Sequence, residues 1–366
     1  MMSDTHFYPL TITDVQPETD SAISVTLGVP EALQSKFRFV QGQFLTLKAE
    51  VKGKEMRRSY SICSGVNDSQ LRIGIKRVEG GRFSNFANDS FKVGDTLEVM
   101  PPQGEFYTEL NPANAKNYMC IAVGSGITPI LSILKSVLAI EPESRVTLLY
   151  GNPSSNTLMF KDELSFIKNR YLERFQWINI MGVEDQGADL INGRIDNKKG
   201  YALQKSKLID IRATDEAFIC GPEAMMAEVS RGFRMEGLSE SQIHYELFAT
   251  SASDAQAMLA KAQQRVEAFG EAKTSKVTLK VDGRALQFDL ATVGQNVLDA
   301  GLDQGLELPY SCKAGVCSTC KCKLVEGQVE MDITHALSAA EIKAGFVLSC
   351  QAHPISDRVV LDFDQR

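Results

Sequence analysis

Five of the chain's eight cysteines lie beyond residue 311, and four fall within eleven residues. Cys312, Cys317 and Cys320 follow the spacing C-x4-C-x2-C, and Cys350 comes after 29 intervening residues. One loop supplying three thiolates and a distant segment supplying the fourth is a pattern that holds a 2Fe–2S cluster. A zinc ion is the competing occupant, although zinc sites usually show two C-x-x-C-like pairs. Gly315 is expected to let the backbone approach the cluster without a Cβ. Cys322 fits no register that keeps the x4–x2 spacing and reads as a packing residue. Clustered cysteines in a chain of this size suit metal or redox work better than a secreted disulfide framework.

Two further groups of residues could hold phosphates. Ile121–Val123 is an apolar run, followed by Gly124-Ser125-Gly126-Ile127-Thr128-Pro129 and then a helical pattern. A strand, a Gly-rich turn and a helix is the context in which paired glycines bring backbone N–H groups close to a pyrophosphate. Upstream, Arg58-Ser59-Tyr60-Ser61 and the turn Gly80-Gly81-Arg82-Phe83-Ser84-Asn85 combine a cation, hydroxyls and a flexible loop. The four histidines, His6, His244, His335 and His353, are scattered and form no hydrolytic set.

These strings carry a resemblance. Arg58–Ser61 is similar to the R-x-Y-S flavin motif of the ferredoxin–NADP reductase superfamily, and Gly81–Ser84 to its G-x-x-S loop. Cys220-Gly221-Pro222-Glu223-Ala224-Met225 is similar to its second nucleotide motif, and Cys312–Cys350 to a plant-type ferredoxin. RRSYSICS, KRVEGGRFSNF, GDTLEVMPPQGEF and SCKAGVCSTCKCKL occur in register along the chain. Essentially the whole chain resembles the oxygenase reductases, including the reductase subunit of ring-1,2-phenylacetyl-CoA epoxidase. The resemblance implies FAD bound by Arg58, Ser59, Tyr60, Ser61, Lys76, Gly81, Arg82, Phe83 and Ser84. It implies NAD(P)H bound by Gly124, Gly126, Thr128, Pro129, Cys220, Gly221 and Pro222. Ser61 at flavin N5, Cys220 beside the nicotinamide and Phe248 over the flavin are the implied catalytic positions.

The implied activity is an NAD(P)H-dependent reductase that passes electrons through FAD and a 2Fe–2S cluster to an oxygenase component. A reductase for a fatty-acid desaturase or a hybrid-cluster protein is the first alternative, and a non-catalytic electron carrier the second. Where NADPH-using relatives often carry an Arg, this chain has Pro153. Gly151–Asn156 holds neither an Arg nor an acid, only Ser154, Ser155 and Asn156, with Lys161 a turn further on. Both coenzymes are therefore expected to work, with a lean to NADPH from the resemblance.

The elements that must position these residues fall into three textures. Residues 1–112 alternate apolar and polar side chains in short segments (Tyr8–Val15, Ile23–Leu27, Gln43–Ala49, Leu71–Val78, Thr96–Met100) and predict an antiparallel β-barrel. Residues 113–250 alternate buried-strand runs with helical stretches and predict a doubly wound α/β domain. Residues 251–273 are rich in Ala, Gln and charge and read as a partly helical linker. Residues 274–366 predict a ferredoxin domain of the α+β, β-grasp kind, opening on a hairpin with a turn at Asp282-Gly283.

The composition is that of a globular protein, 43% hydrophobic and 23% charged. A net charge of −7 disfavours nucleic-acid and anionic-membrane binding. The most apolar stretch, Ile127–Ile140, is broken by Thr128, Pro129, Ser132, Lys135 and Ser136, so no membrane insertion is expected. Met1–Leu10 has no basic region followed by an apolar core, so the expected location is the cytoplasm.

Overall fold

A computed structural model describes residues 5–248, 252–270 and 273–365. Two compact units emerge, His6–Glu246 and a second built from Leu247 to the C-terminal end.

The first unit opens with six antiparallel strands and one helix. These are β1 (Tyr8–Thr19), β2 (Ala22–Gly28), β3 (Phe44–Val51), β4 (Lys54–Ser61), β5 (Leu71–Lys76), α1 (Arg82–Ser90) and β6 (Thr96–Gln103). The sheet order is β4-β3-β6-β1-β2-β5. A bridge between Ile62 and Ile73 joins the two edge strands, so the sheet closes on itself. Alternate residues point inward: Leu10 and Ile12, Leu45 and Leu47, Ile73 and Ile75 fill the barrel. The helix α1 interrupts the all-β texture and buries Phe83 and Ala87 against this core.

Five parallel strands follow, in the order β11-β10-β7-β8-β9: β7 (Asn117–Val123), β8 (Arg145–Asn152), β9 (Phe175–Met181), β10 (Glu216–Cys220) and β11 (Ile243–Glu246). They are connected through α2 (Ile127–Ile140), α3 (Lys161–Arg170), α4 (Asn197–Lys205) and α5 (Glu223–Met235). β7 and β10 lie side by side at the centre, so the turns that follow them open on the same edge of the sheet. α2 is apolar almost all round because barrel and sheet cover it on different sides; Ser132, fully buried, donates to Ser64 O at 2.6 Å.

A charged clamp ties barrel to sheet. Arg72 of β5 pairs with Glu163 of α3, and Lys135 of α2 pairs with Glu163 at 2.5 Å and Asp68 at 2.6 Å.

The second unit contains α6 (Ala252–Phe269), β12 (Thr274–Val281), β13 (Arg284–Ala291), α7 (Val297–Asp303), β14 (Lys321–Glu326), β15 (Val329–Met331), α8 (Ala339–Lys343), β16 (Phe346–Leu348), β17 (Ala352–Pro354) and β18 (Arg358–Asp362). Its main sheet runs β13-β12-β18-β14-β16, with β12 and β18 parallel, beside a two-stranded β15-β17 ribbon. The hairpin turn has positive φ at both Asp282 and Gly283, the type I′ geometry that matches strand twist. Helix α6 docks on the ribbon. Arg265, 3% exposed, pairs with Glu330 at 2.8 Å and Asp332 at 2.7 Å. Lys261 donates to Met331 O and Asp332 O.

Candidate functional site

In the first unit, the end of β4 meets the ends of β10 and β11. Period-two geometry puts Arg58 and Tyr60 on one face of β4 and Ser59 and Ser61 on the other. Tyr60 packs on Phe83, ring centroids 5.9 Å apart, and burial pushes its hydroxyl pKa well up, against the opposing Arg58 charge. Arg58 is exposed, and its guanidinium donates to Arg57 O at 2.7 Å. Ser59 and Thr46 hydroxyls lie 3.4 Å apart.

Ser61 is buried and donates to Glu246 Oε2 at 3.0 Å, across 185 residues of sequence. Burial raises the Glu246 carboxyl to about 8, with the Ser61 hydrogen bond pulling the other way. Cys220 pairs with Glu246 in the parallel register of β10 and β11. Burial, then the nearby Glu246 charge, pushes its thiol far above the ordinary range, which disfavours the thiolate. Glu246 stood in the sequence beside Phe248 without a role of its own. The available signal was a lone acid two residues before Phe248. Phe248 is exposed at the start of the second unit.

The turn after β7 is built for close approach. A Cβ on Gly126 would lie 2.1 Å from the Cys220 carbonyl oxygen, so only glycine fits between the two nucleotide motifs. Thr128 donates to Ser125 O at 3.0 Å and, with Pro129, is buried in the first turn of α2. Pro222 caps α5, and Gly221 packs against Val123 and Met225. Lys76, at the end of β5, brings its ammonium to 3.4 Å from where a Gly124 Cβ would be. In the other loop, Gly81 caps α1 without a side-chain hydrogen bond, leaving first-turn N–H groups for an anion. Arg82 is exposed at that end, whereas Phe83 faces the core. The Ser84 hydroxyl accepts from Val78 N–H at 3.1 Å, which fixes the loop and leaves its own proton to donate.

The second unit holds the thiol loop. The four thiols influence one another as two pairs, Cys312 with Cys317 and Cys320 with Cys350, and Cys312 N–H donates to Cys317 Sγ at 3.5 Å. Among the described residues no three or more His, Cys, Asp or Glu side chains are arranged around a single ion. Two pairs suit two irons better than one zinc. The Cys312 thiol is lowered to about 6, first by Cys317 and then by backbone N–H groups of Ala314, Val316 and Cys317. Ala314 N–H donates to Cys312 Sγ at 3.3 Å. Gly315 has φ of 74°, and an added Cβ would meet Ile333 at 3.0 Å and Gln351 at 3.1 Å. Its requirement is thus a left-handed turn wedged against Ile333, rather than clearance for the cluster alone. Cys322 is fully buried on β14 in the core of this unit.

A closed barrel with an R-x-Y-S strand, a parallel sheet with glycine turns at its switch point and a four-thiol loop define a class: the flavin- and nicotinamide-binding oxidoreductases that carry a 2Fe–2S domain. Three family models match, an oxidoreductase FAD-binding domain over residues 9–107, an oxidoreductase NAD-binding domain over 120–231 and a 2Fe-2S iron-sulfur cluster binding domain over 279–354. The chain is 43% identical over 362 residues to a 1,2-phenylacetyl-CoA epoxidase subunit from Escherichia coli (strain K12), covering 99% of both chains. It is 31% identical to the ferredoxin reductase component of 3-ketosteroid-9-alpha-monooxygenase from Rhodococcus rhodochrous, over 97% of this chain and 96% of that one. Its fold matches phthalate dioxygenase reductase with a TM-score of 0.59 at 23% identity, covering 98% of each chain. The chain belongs to the family of that 1,2-phenylacetyl-CoA epoxidase subunit and is an NAD(P)H-dependent oxidoreductase. No helix among the described residues is long and apolar enough to cross a membrane.

Proposed function

We propose that this chain is the reductase component of an oxygenase of the phenylacetyl-CoA epoxidase type. It would take electrons from NAD(P)H and deliver them singly to the oxygenase protein. Support for this partner is the 43% identity, over almost the full length of both chains, to a protein of that epoxidase. When bound, FAD accepts hydride from NAD(P)H and the 2Fe–2S cluster carries single electrons onward.

The residues divide the work of holding these groups. Arg58 and Lys76 supply cations, and the Gly80–Ser84 turn with the first turn of α1 supplies N–H donors to the flavin phosphates. Tyr60, backed by Phe83, offers an aromatic wall. The Gly124–Gly126 turn admits the nicotinamide nucleotide against Cys220. Ser61 and Glu246 hold a proton between them at the point where the two motif sets meet. Cys312, Cys317, Cys320 and Cys350 hold the cluster. The observation that carries this reading is the Ser61–Glu246 hydrogen bond beside Cys220, in a chain that also carries the paired thiols. Eight cysteines, four of them in one loop, suit a reducing compartment, and the cytoplasm is the location we assign.

The test is reconstitution. Purified protein should release FAD and not FMN, show 2Fe–2S absorption, and support turnover of a phenylacetyl-CoA epoxidase oxygenase with NAD(P)H. Active electron transfer to artificial acceptors, with none to that oxygenase, would refute the assigned partner.

A further inference from the structure

The segment that supplies the fourth thiol comes from far along the chain, so other groups must hold it against the thiol loop. Ser349 does part of this. Its backbone N–H and its hydroxyl both donate to Cys320 O, at 3.2 and 3.0 Å. On the Cys312 side the join is made by the side chain of Gln351.

Gln351 directly follows Cys350 and is 1% exposed. Its amide nitrogen faces three acceptors: Cys350 O at 3.0 Å, Lys313 O at 3.3 Å and Cys350 Sγ at 3.6 Å. The amide oxygen is buried and has no hydrogen-bond partner. The three acceptors fix which end of the amide is nitrogen, because a flipped amide would set oxygen against oxygen. A buried polar atom without a partner is costly. Leucine or methionine would fill the space without one, so packing does not account for glutamine here. What glutamine adds is the N–H pair.

The side chain is also held in place. Gln351 N–H donates to Leu348 O at 2.9 Å, and its carbonyl accepts Asp332 N–H at 3.0 Å. Its Cγ lies 3.1 Å from where a Gly315 Cβ would stand. Lys313, whose carbonyl Gln351 binds, has φ of 54°, a left-handed turn that a residue with a Cβ keeps only when its surroundings support it.

Resting on the assignment of a 2Fe–2S cluster to these four thiols, we propose that Gln351 is a positioning residue that sets the cluster's reduction potential. Its N–H groups donate to the Cys350 sulfur and tie that sulfur's segment to the loop carrying Cys312. A donor aimed at a ligand sulfur favours the more negative, reduced form, so its removal lowers the potential.

The test is an EPR-monitored redox titration of the full-length holoprotein and of Gln351→Met, which keeps the side chain's length and removes both N–H groups. The expected result is a 2Fe–2S signal in both proteins. In the variant the one-electron equilibrium should shift at least threefold toward the oxidised form, a fall of about 28 mV at about 59 mV per decade. A potential that is unmoved or raised overturns the proposal; a merely structural role would lower the cluster content and leave the potential of the remainder where it was. Wild-type protein labelled with 15N only at glutamine side-chain amides covers a variant that does not fold. Pulsed EPR of its reduced form should show a 15N coupling that unlabelled protein lacks, and no such coupling overturns the proposal. A normal 2Fe–2S signal with neither shift nor coupling would fell this inference alone; a wild type without that signal would fell the cluster assignment as well.

Discussion

Glu246 keeps its proton to about pH 8 because the folded chain buries it, whereas a free glutamate ionises near 4.5. Between those values the native state binds more protons than the unfolded chain, so stability falls as pH rises through this window and levels off above about 8. The same titration should mark turnover. We expect the NAD(P)H-dependent rate to change with an inflection near pH 8 in the wild type. In Glu246→Gln the inflection should vanish and the rate should fall about 10²-fold, the scale of a lost proton-transfer group. A pH–rate profile of both proteins checks this, and an unchanged inflection in the variant would assign it to another group. At the thiols, Cys317→Ser should lose the cluster absorption while Cys322→Ser, altered only in the core of its unit, keeps it. Cluster loss in the Cys322 variant alone would show that the ligand set is misassigned. Most of these residues were legible in sequence because their chemistry demands local spacing: four thiols around two irons, or two glycines at a turn. Glu246 was not, because its meaning lies in a contact with Ser61 across 185 residues. Gly315 was half legible. Its turn could be read, but the wall it leans on, Ile333, comes from a distant segment.

Among the elements, period-two and period-3.6 patterns found the barrel core and most of the parallel sheet, since each such strand or helix buries one face. Several elements escaped, two of them for plain physical reasons. β4 begins Lys-Glu-Met-Arg-Arg, a charged edge strand whose outward face obscures the alternation. β11 has four residues, too few to display a period, yet it carries Glu246. The Ala- and Gln-rich segment before residue 270 reads as a partly helical linker; what the sequence hides is that Arg265 and Lys261 anchor the helix on the β15 segment. Arg265→Ala should cost about 3 kcal/mol, because two carboxylates at a buried site lose their partner. Urea denaturation followed by cluster absorbance would measure it, and a change under about 0.5 kcal/mol would mean that the helix is held by other contacts. The clamp between barrel and sheet makes a parallel case. Glu163→Ala leaves Arg72 without this carboxylate and Lys135 with Asp68 as its remaining acidic partner in the clamp, and should cost about 1–3 kcal/mol in thermal or denaturant unfolding of the first unit.

For the whole molecule, the two compact units divide the candidate residues: those matched to coenzyme and flavin binding lie within His6–Glu246, Phe248 apart, and the thiols lie within the second unit. A fragment of residues 1–250 removes the cluster unit together with its docked helix and leaves the first unit entire. It should reduce ferricyanide with NAD(P)H at a rate near that of the full chain and fail to reduce cytochrome c. The order of electron flow, from coenzyme through flavin to cluster and out, is the central claim. Its most direct test is a comparison of the full-length wild type with Cys317→Ser, each loaded with FAD, for NAD(P)H-driven reduction of ferricyanide and of the oxygenase partner. The expected result is ferricyanide reduction retained within about twofold and oxygenase turnover lost. Oxygenase turnover retained without cluster absorption would contradict the account, since electrons would then leave from the flavin.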